Sequence, residues 1–442
     1  MAKVYLSFLG TNDYIPCTYF RKENDFQVEN IRFVQEATIR FACKKWSSED
    51  RILIFTTGEA YKKNWVNDGH IDHKTGEPLQ RKGIGDCLFN LSLRCPVTRV
   101  DIPEGKSEEE IWEIFNTVFC ELQQDDEVIF DITHAFRSIP MLAIVVLNYA
   151  KVLKHVHLKG IYYGAFEVLG TVWEAAKLPI ENRRAPILDL TSFDQLMDWS
   201  IAIDRFLGAG DGRLISKLAT GNTGPILKQT RGRDESAKRI NDMAKTLAAF
   251  TTSLATCRGP EISDIGSRLK YYVAACEENA LIKPLQPLFA RINEQLAAFE
   301  GSPINDGLQA VKWCLRHNLV QQGVTILREL VFSFVISTIG EDPYDKENRD
   351  IASQALAIVI KKLTHDEDQW GASSRSNKEL TRRLIPAFAN RKELVKCADR
   401  LGQLRNDMNH AGFGPNAKKV KDAEKFREGL EEAVKSVESC LG

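Results

Sequence analysis

The sequence predicts a mostly parallel α/β domain at the N-terminus, then an all-α middle and an all-α C-terminal region. Three observations predict it. Short, continuous apolar runs alternate with helix-period segments over the first 190 residues. Each of the leading runs ends in a polar loop. After residue 189 the strand signal fades and helical periodicity takes over. Uninterrupted apolar strands separated by helices mark a sheet covered on both faces.

Residues 4–9 are an apolar run that breaks into Gly10-Thr11-Asn12-Asp13, a strand and then a loop. Residues 29–46 place Ile31, Phe33, Val34, Ala37, Ile39, Phe41 and Ala42 on one broad stripe and predict a helix. Residues 51–55 are a second strand, ending in Thr56-Thr57-Gly58-Glu59. A helix over 109–122 precedes a third strand at 127–130, which runs into Asp131-Ile132-Thr133-His134-Ala135-Phe136-Arg137-Ser138 and an apolar helix over 139–153. Further strands fall at 160–166 and 186–190. Helical segments follow at 196–207, 240–254, 265–280 and 284–299, with Gly-rich breaks at 208–212 and 221–224. The second break leads into a basic stretch holding Lys228, Arg231, Arg233, Lys238 and Arg239. From residue 304 the segments 307–319, 321–337, 351–363, 378–388, 392–410 and 421–441 are again helical in period. The expected domains are therefore 1–190, 191–303 and 304–442.

Composition narrows the function. The 442 residues carry 59 Lys+Arg against 60 Asp+Glu, which excludes a chain-wide polycation but not a local basic patch. A hydrophobic fraction of 43% and a charged fraction of 27% are those of an ordinary globular protein. The longest apolar stretch, near 139–147, is too short to span a bilayer, and the N-terminus lacks a small-residue cleavage pattern, so a cytoplasmic protein without a membrane partner is expected. The ten cysteines include no C-x-x-C pair, and Cys43, Cys120 and Cys314 sit inside apolar periodic segments; reduced core thiols are expected, not a zinc site or a disulfide frame. His70 and His73 lack a cysteine or carboxylate cluster to complete a metal shell, so no metal site is expected there.

Nucleotide-triphosphatase and dinucleotide motifs are absent. There is no G-x-x-x-x-G-K-[ST], and Gly83-Ile84-Gly85 has neither a strand before it nor a third glycine at the needed spacing. The loop from Asp131 to Ser138 is more informative: a carboxylate, two hydroxyls, an imidazole and a guanidinium precede a helix, where exposed N–H groups and Arg137 suit anionic oxygens. Plain capping by Asp131 or Thr133 is the competing reading. Ligands of parallel sheets sit at the carboxyl ends of the strands, and all three polar loops fall there, which points to one shared pocket.

The second constellation is Arg405 and His410, an R-x₄-H pair in a helix that Gly412, Gly414 and Pro415 are placed to terminate. His can move a proton on or off a phosphodiester oxygen, and Arg can stabilise the charge of a phosphorane. Five residues turn about 140° around a helix, so the two side chains do not stack, and a second copy of the chain is one way to complete the site. A solvated Arg beside a histidine at a helix C-terminus is the bland alternative.

SFLGTNDY after the first strand, DITHAFRSIPM, APILDLTSFDQLMDW and RNDMNHAG occur in an order that resembles the CARF–HEPN ribonucleases of type III CRISPR systems, from Val4 to about Gly412. The resemblance implies a Rossmann-like, dimeric CARF domain that binds a cyclic oligoadenylate across its two-fold axis. By position Gly10, Thr11, Asp13, Thr57, Glu59, Thr133, His134, Arg137 and Ser138 are similar to its ligand loops. It also implies a C-terminal HEPN domain acting as a metal-independent, single-strand-specific endoribonuclease in antiviral defence. Arg405 and His410 match that family's pair, with Asn406 and Asn409 as the accompanying polar residues. The stretch 311–332, with Trp313, resembles the leading HEPN helix, while the middle helices match nothing residue by residue.

The implied chemistry needs no cofactor. An RNA 2′-hydroxyl attacks its neighbouring phosphorus, with His410 for proton transfer or phosphate binding and Arg405 for transition-state charge. The implied activator is cyclic tetra-adenylate in preference to hexa-adenylate, and the implied assembly is a homodimer or higher homo-oligomer. Two other readings stand beside it. One is a non-catalytic sensor with a vestigial HEPN pair, its basic stretch holding nucleic acid. The other adds degradation of the messenger by Thr133, His134 and Arg137.

Overall fold

The fold was obtained as a computed structural model. It describes the chain except residues 24, 73–74, 134–138, 279–282, 412, 414–421 and 442, and at 139, 140, 278 and 283 it describes the backbone alone. The chain divides into two compact units, Met1–Gln195 and Leu196–Gly442.

The first unit is built on eight strands: β1 (Lys3–Leu9), β2 (Cys17–Arg21), β3 (Phe26–Ile31), β4 (Arg51–Thr56), β5 (Val97–Asp101), β6 (Glu127–Asp131), β7 (His157–Gly164) and β8 (Arg184–Asp189). They form one sheet in the order β3-β2-β8-β7-β6-β1-β4-β5. The run β7-β6-β1-β4-β5 is parallel, as is β2 with β8, while β7 with β8 and β2 with β3 are antiparallel. The helices are α1 (Val34–Ala42), α2 (Gly58–Ala60), α3 (Ile84–Phe89), α4 (Glu108–Glu121), α5 (Ile139–Lys154) and α6 (Val172–Lys177); α7 (Thr191–Ala209) follows β8, and from Leu196 onward it belongs to the second unit.

Alternation along β1 explains why its run is apolar throughout. Val4, Leu6 and Phe8 face one way, onto Ile114 and Val118 of α4 and Leu142 and Val146 of α5. Tyr5 and Leu9 face the other way, onto Ile39 of α1 and Ile84 and Leu88 of α3. Both faces are thus covered, each buried large apolar side chain contributing roughly 1.5–3 kcal/mol relative to exposure. In register, Leu9 lies beside Thr56 and Ser7 beside Asp131, so β1, β4 and β6 release their loops at the same edge.

Two expectations in this unit are corrected. The stripe over 29–46 is not one helix: β3 runs to Ile31, Phe33 is still extended at φ −111°, and α1 spans only Val34–Ala42. Pairing of β3 with β2, Ile31 opposite Cys17, overrides the helical period there. Cys120 is exposed on α4 and is not a core thiol, whereas Cys43 and Cys314 are buried.

The second unit comprises α8 (Arg213–Gln229), α9 (Glu235–Ala255), α10 (Gly259–Glu278), α11 (Gln286–Leu296), α12 (Pro303–Arg316), α13 (Val320–Thr338), α14 (Lys346–Lys361), α15 (Ala372–Ser376), α16 (Lys378–Ala389), α17 (Lys392–Asn409) and α18 (Ala423–Leu441). One hydrophobic cluster runs through it, from Trp199 and Phe206 through Phe250, Phe289 and Trp313 to Phe388 and Val437. Trp313 lies at its centre, with Phe206 and Phe250 each 5.5 Å away between ring centroids. Gly210, in the turn after α7, has φ +68°, and a Cβ there would sit 2.9 Å from the Trp313 Nε1.

The break expected at 221–224 is also corrected. These residues, and Pro225, lie inside α8, which is held by burial of Ile215, Ala219 and Thr223. The Thr223 hydroxyl donates to the Ala219 carbonyl at 2.7 Å. The stretch 311–332 is two helices, because Asn318 at φ +57° ends α12 before α13 begins. Among the described residues no helix is long and apolar enough to cross a membrane.

Candidate functional site

The strands β1, β4 and β6 end at one edge of the sheet, but the single pocket expected from their loops is not formed: Asn12 and Thr133 line the cavity there, whereas Gly10, Thr11, Asp13, Thr57 and Glu59 do not. Thr57 is fully buried and caps α2, its hydroxyl accepting from the Ala60 N–H at 3.2 Å. Glu59 is exposed and pairs with Lys63 at 2.7 Å. Asp13 pairs with Arg81 at 2.7 Å. Gly10 and Thr11 are half-buried. The carbonyls of Gly10 and Asn12 each accept from the Asn64 amide at 2.9 Å. The Asn64 oxygen in turn accepts from Arg32 at 2.9 Å and lies 3.0 Å from the His70 ring. His70 is thereby engaged with Asn64, and burial pulls its pKa down. His134, Arg137, Ser138 and His73 lie outside the described residues.

Asp131, at the end of β6, is fully buried. One carboxylate oxygen accepts from Tyr5 at 2.9 Å and from Thr38 at 2.7 Å. The other accepts from the Thr133 N–H at 3.0 Å and its hydroxyl at 2.6 Å. Burial, the dominant cause, raises the Asp131 pKa against the lowering pull of these donors. Thr133 Oγ1 also accepts from the Gly164 N–H at 2.8 Å, tying the ends of β6 and β7 together. Gly164 tolerates no side chain, since a Cβ would meet Val34 Cγ2 at 2.3 Å.

Thr133 and Asn12 open onto a cavity of about 260 Å³ at this edge. Tyr14, Tyr19, Tyr163 and Phe166 supply aromatic walls, and Arg32 and Glu167 one charge of each sign. The Arg32 guanidinium is fixed by the carbonyls of Tyr14 and Lys82 at 3.1 and 3.0 Å as well as by Asn64. Such a cavity can stack a planar ring against aromatics beside a fixed cation. Sequence reasoning found Thr133 and the β1 loop but missed Arg32 and the tyrosines. Arg32 lies between β3 and α1, in the stretch 29–46 whose period predicts a helix, and no local motif singles it out.

In the second unit the candidate residues lie on the last turns of α17. Leu401 and Leu404 bury one face of that helix, and Arg405 is half-buried beside them. Asn406, Asn409 and His410 are exposed. His410 is the C-terminal cap, its N–H donating to the Asn406 carbonyl at 3.1 Å. Among the described residues no hydrogen bond or ion pair joins the side chains of Arg405 and His410, as the rotation between them requires.

Arg405 instead donates to Glu329 of α13 at 3.4 Å. Arg328 reaches the same carboxylate at 3.2 Å, and Arg349 holds its other oxygen. Three guanidiniums on one carboxylate leave a local surplus of positive charge. Burial lowers the Arg328 pKa, and the Arg328 guanidinium lies 4.9 Å from the Phe332 ring centroid. Glu329 was missed from sequence, yet a signal existed: Arg328 and Glu329 are the sole charged residues of α13.

No protein-family model matches the chain. Over 239 residues it is 28% identical to CRISPR-associated protein MJ1674 of Methanocaldococcus jannaschii, a match covering 52% of this chain and 33% of that protein. The aligned region is thus about a third of the relative's length. The similarity supports a CRISPR-associated protein.

Proposed function

We propose that the chain is a CARF–HEPN endoribonuclease of type III CRISPR antiviral defence, switched on by a cyclic oligoadenylate, with tetra-adenylate favoured over hexa-adenylate. The observation that carries the reading is α17: it offers Arg405, Asn406, Asn409 and His410 together on its last turns, in a unit separate from a sheet with an aromatic cavity at its strand ends. The similarity to a CRISPR-associated protein supports the setting.

In this reading the Rossmann-like sheet is the sensor. An adenine ring stacks in the cavity lined by Tyr14, Tyr163 and Phe166, and Arg32 faces phosphate. His134, Arg137 and Ser138 complete the loop, and degradation of the messenger there is a secondary activity. In the helical unit the RNA 2′-hydroxyl attacks the adjacent phosphorus, giving a 2′,3′-cyclic phosphate and a 5′-hydroxyl end. His410 transfers the proton or holds the phosphate, and Arg405 stabilises the charge that develops on it. The reaction takes no metal.

A second copy of the chain completes the assembly. Helix α5 supports this: Leu142, Ala143, Val146, Leu147 and Ala150 bury its inner face. On the opposite face Met141, Ile144, Val145, Tyr149, Val152 and Leu153 are all exposed, an apolar stripe that gains from a partner.

The test is cleavage of single-stranded RNA with cyclic tetra- and hexa-adenylate in parallel, in EDTA. Activity with the tetramer is expected, along with its loss in His410→Ala and unchanged tetramer binding. Full activity in His410→Ala overturns the assignment, and strict metal dependence overturns the chemistry. The second reading, a non-catalytic sensor that holds nucleic acid, draws on Lys228 at the end of α8, Arg231 and Arg233 in the turn, and Lys238 and Arg239 in the first turns of α9, all exposed. Tight RNA binding without cleavage at any activator concentration would establish it.

A further inference from the structure

A second cavity, also about 260 Å³, opens in the helical unit beside α13. Its walls are mainly apolar, from Pro260 of α10, Ile304 at the start of α12 and Leu330 of α13, with Cys257 and Thr325 beside them, hydrogen-bonded to each other. Its floor is Glu329, Ser333 and Arg349. Tyr344 stands at its rim, 56% exposed, with its backbone N–H donating to Asp342 at 2.8 Å.

The floor is polar but already committed. Arg349 donates from Nη1 to the Ser333 hydroxyl at 2.9 Å and to the Pro343 carbonyl at 2.7 Å. From Nη2 it donates to the Glu329 carbonyl at 3.2 Å and to the Glu329 carboxylate. Ser333 donates to the same Glu329 carbonyl at 3.1 Å. The Glu329 carboxylate is shared among Arg328, Arg349 and Arg405. Such a floor has little capacity left to read the hydrogen-bonding edge of a ligand. What the cavity offers is apolar burial and one accessible aromatic ring.

Its position adds the rest. Glu329 both lines the cavity and accepts from Arg405, so an occupant lies one side chain away from that guanidinium. The surplus positive charge around Glu329 complements a phosphodiester backbone. The volume falls below the roughly 300–1,000 Å³ of sites for drug-sized ligands, which suits a single ring system.

From these observations we infer that the cavity beside Arg405 seats one nucleobase of the RNA, next to the bond that is cut, by stacking on Tyr344 without base-specific hydrogen bonds. This rests on the ribonuclease reading above. Every base has a π-face, so a seat of this kind gives affinity and register with little sequence preference.

The test uses the full chain carrying His410→Ala, with cyclic tetra-adenylate, and single-stranded RNAs holding one 2-aminopurine at successive positions. Quenching at one position is expected, kept in Tyr344→Phe and lost in Tyr344→Ala, with affinity weakened roughly tenfold. Affinities for the four bases at that position should agree within about threefold. Unchanged quenching and affinity in Tyr344→Ala overturn the inference, as does a preference above about tenfold for one base. Failure of the ribonuclease reading shows separately, as RNA left intact by the unsubstituted chain with activator, and quenching on uncut RNA still decides whether the cavity holds a base.

Discussion

Arg405 and Glu329, 76 residues apart in sequence, meet at 3.4 Å where α17 crosses α13. Both side chains are more than a third exposed, so solvent screens the pair. Its significance is positional: the carboxylate that holds Arg405 also holds Arg328 and Arg349.

Glu329→Gln removes the charge shared by these three arginines. Exposed pairs are worth roughly 0.2–1 kcal/mol each, so a loss of about 1 kcal/mol in urea unfolding is expected. On the ribonuclease reading proposed above, RNA cleavage should fall by more than stability alone explains, because Arg405 loses its anchor. An unchanged kcat would show that Glu329 does not position Arg405.

Asp131→Asn tests the buried carboxyl. Burial raises the folded-state pKa of Asp131 above its unfolded value. Such a group gives stability at low pH that is lost as pH rises through the folded value. Asn mimics the protonated carboxyl and cannot lose a proton. The stability of the unsubstituted chain minus that of the variant should therefore fall as pH is raised from about 3 to 7, followed by denaturant titration at each pH.

Gly210→Ala places a Cβ at a position with φ +68° and 2.9 Å from Trp313 Nε1. The left-handed backbone alone costs about 1–2 kcal/mol in an L-residue, and the contact adds to it. A lower denaturation midpoint with an unchanged slope is expected; equal stability would show that the turn relaxes.

Arg231→Glu with Arg233→Glu reverses charge in the exposed basic stretch. If this stretch holds RNA, affinity should fall and the salt dependence should flatten by about 0.7 per lost phosphate contact on a single strand. Filter binding across a salt series reads both.

The sequence made the central strands and most helices legible, because burial on both sheet faces and helical stripes leave strong periodic signals. The peripheral strands β2, β3 and β5 were not legible. Val97–Asp101 is only partly buried and mixes charge with apolar residues, as an edge strand does. The stripe at Ile31 and Phe33 was ambiguous, since a strand followed by an extended turn and a helix kept the same residues inside. At the candidate sites, residues within one segment could be read, such as Arg405 and His410 or Asp131 and Thr133. Partners brought from far along the chain could not, and Glu329, Arg32 and Tyr344 are of that kind.

The flanks of the sheet carry a last consequence. At one end β5 displays Arg99 and Asp101, paired with each other, and at the other β3 displays Gln27 and Glu29, also bonded to each other. A neighbouring chain that tried to add a strand at either flank would have to strip water from these groups, so sheet-to-sheet growth into fibrils is discouraged. The greasy outer side of α5 has no such guard, and crowding should drive copies together there first.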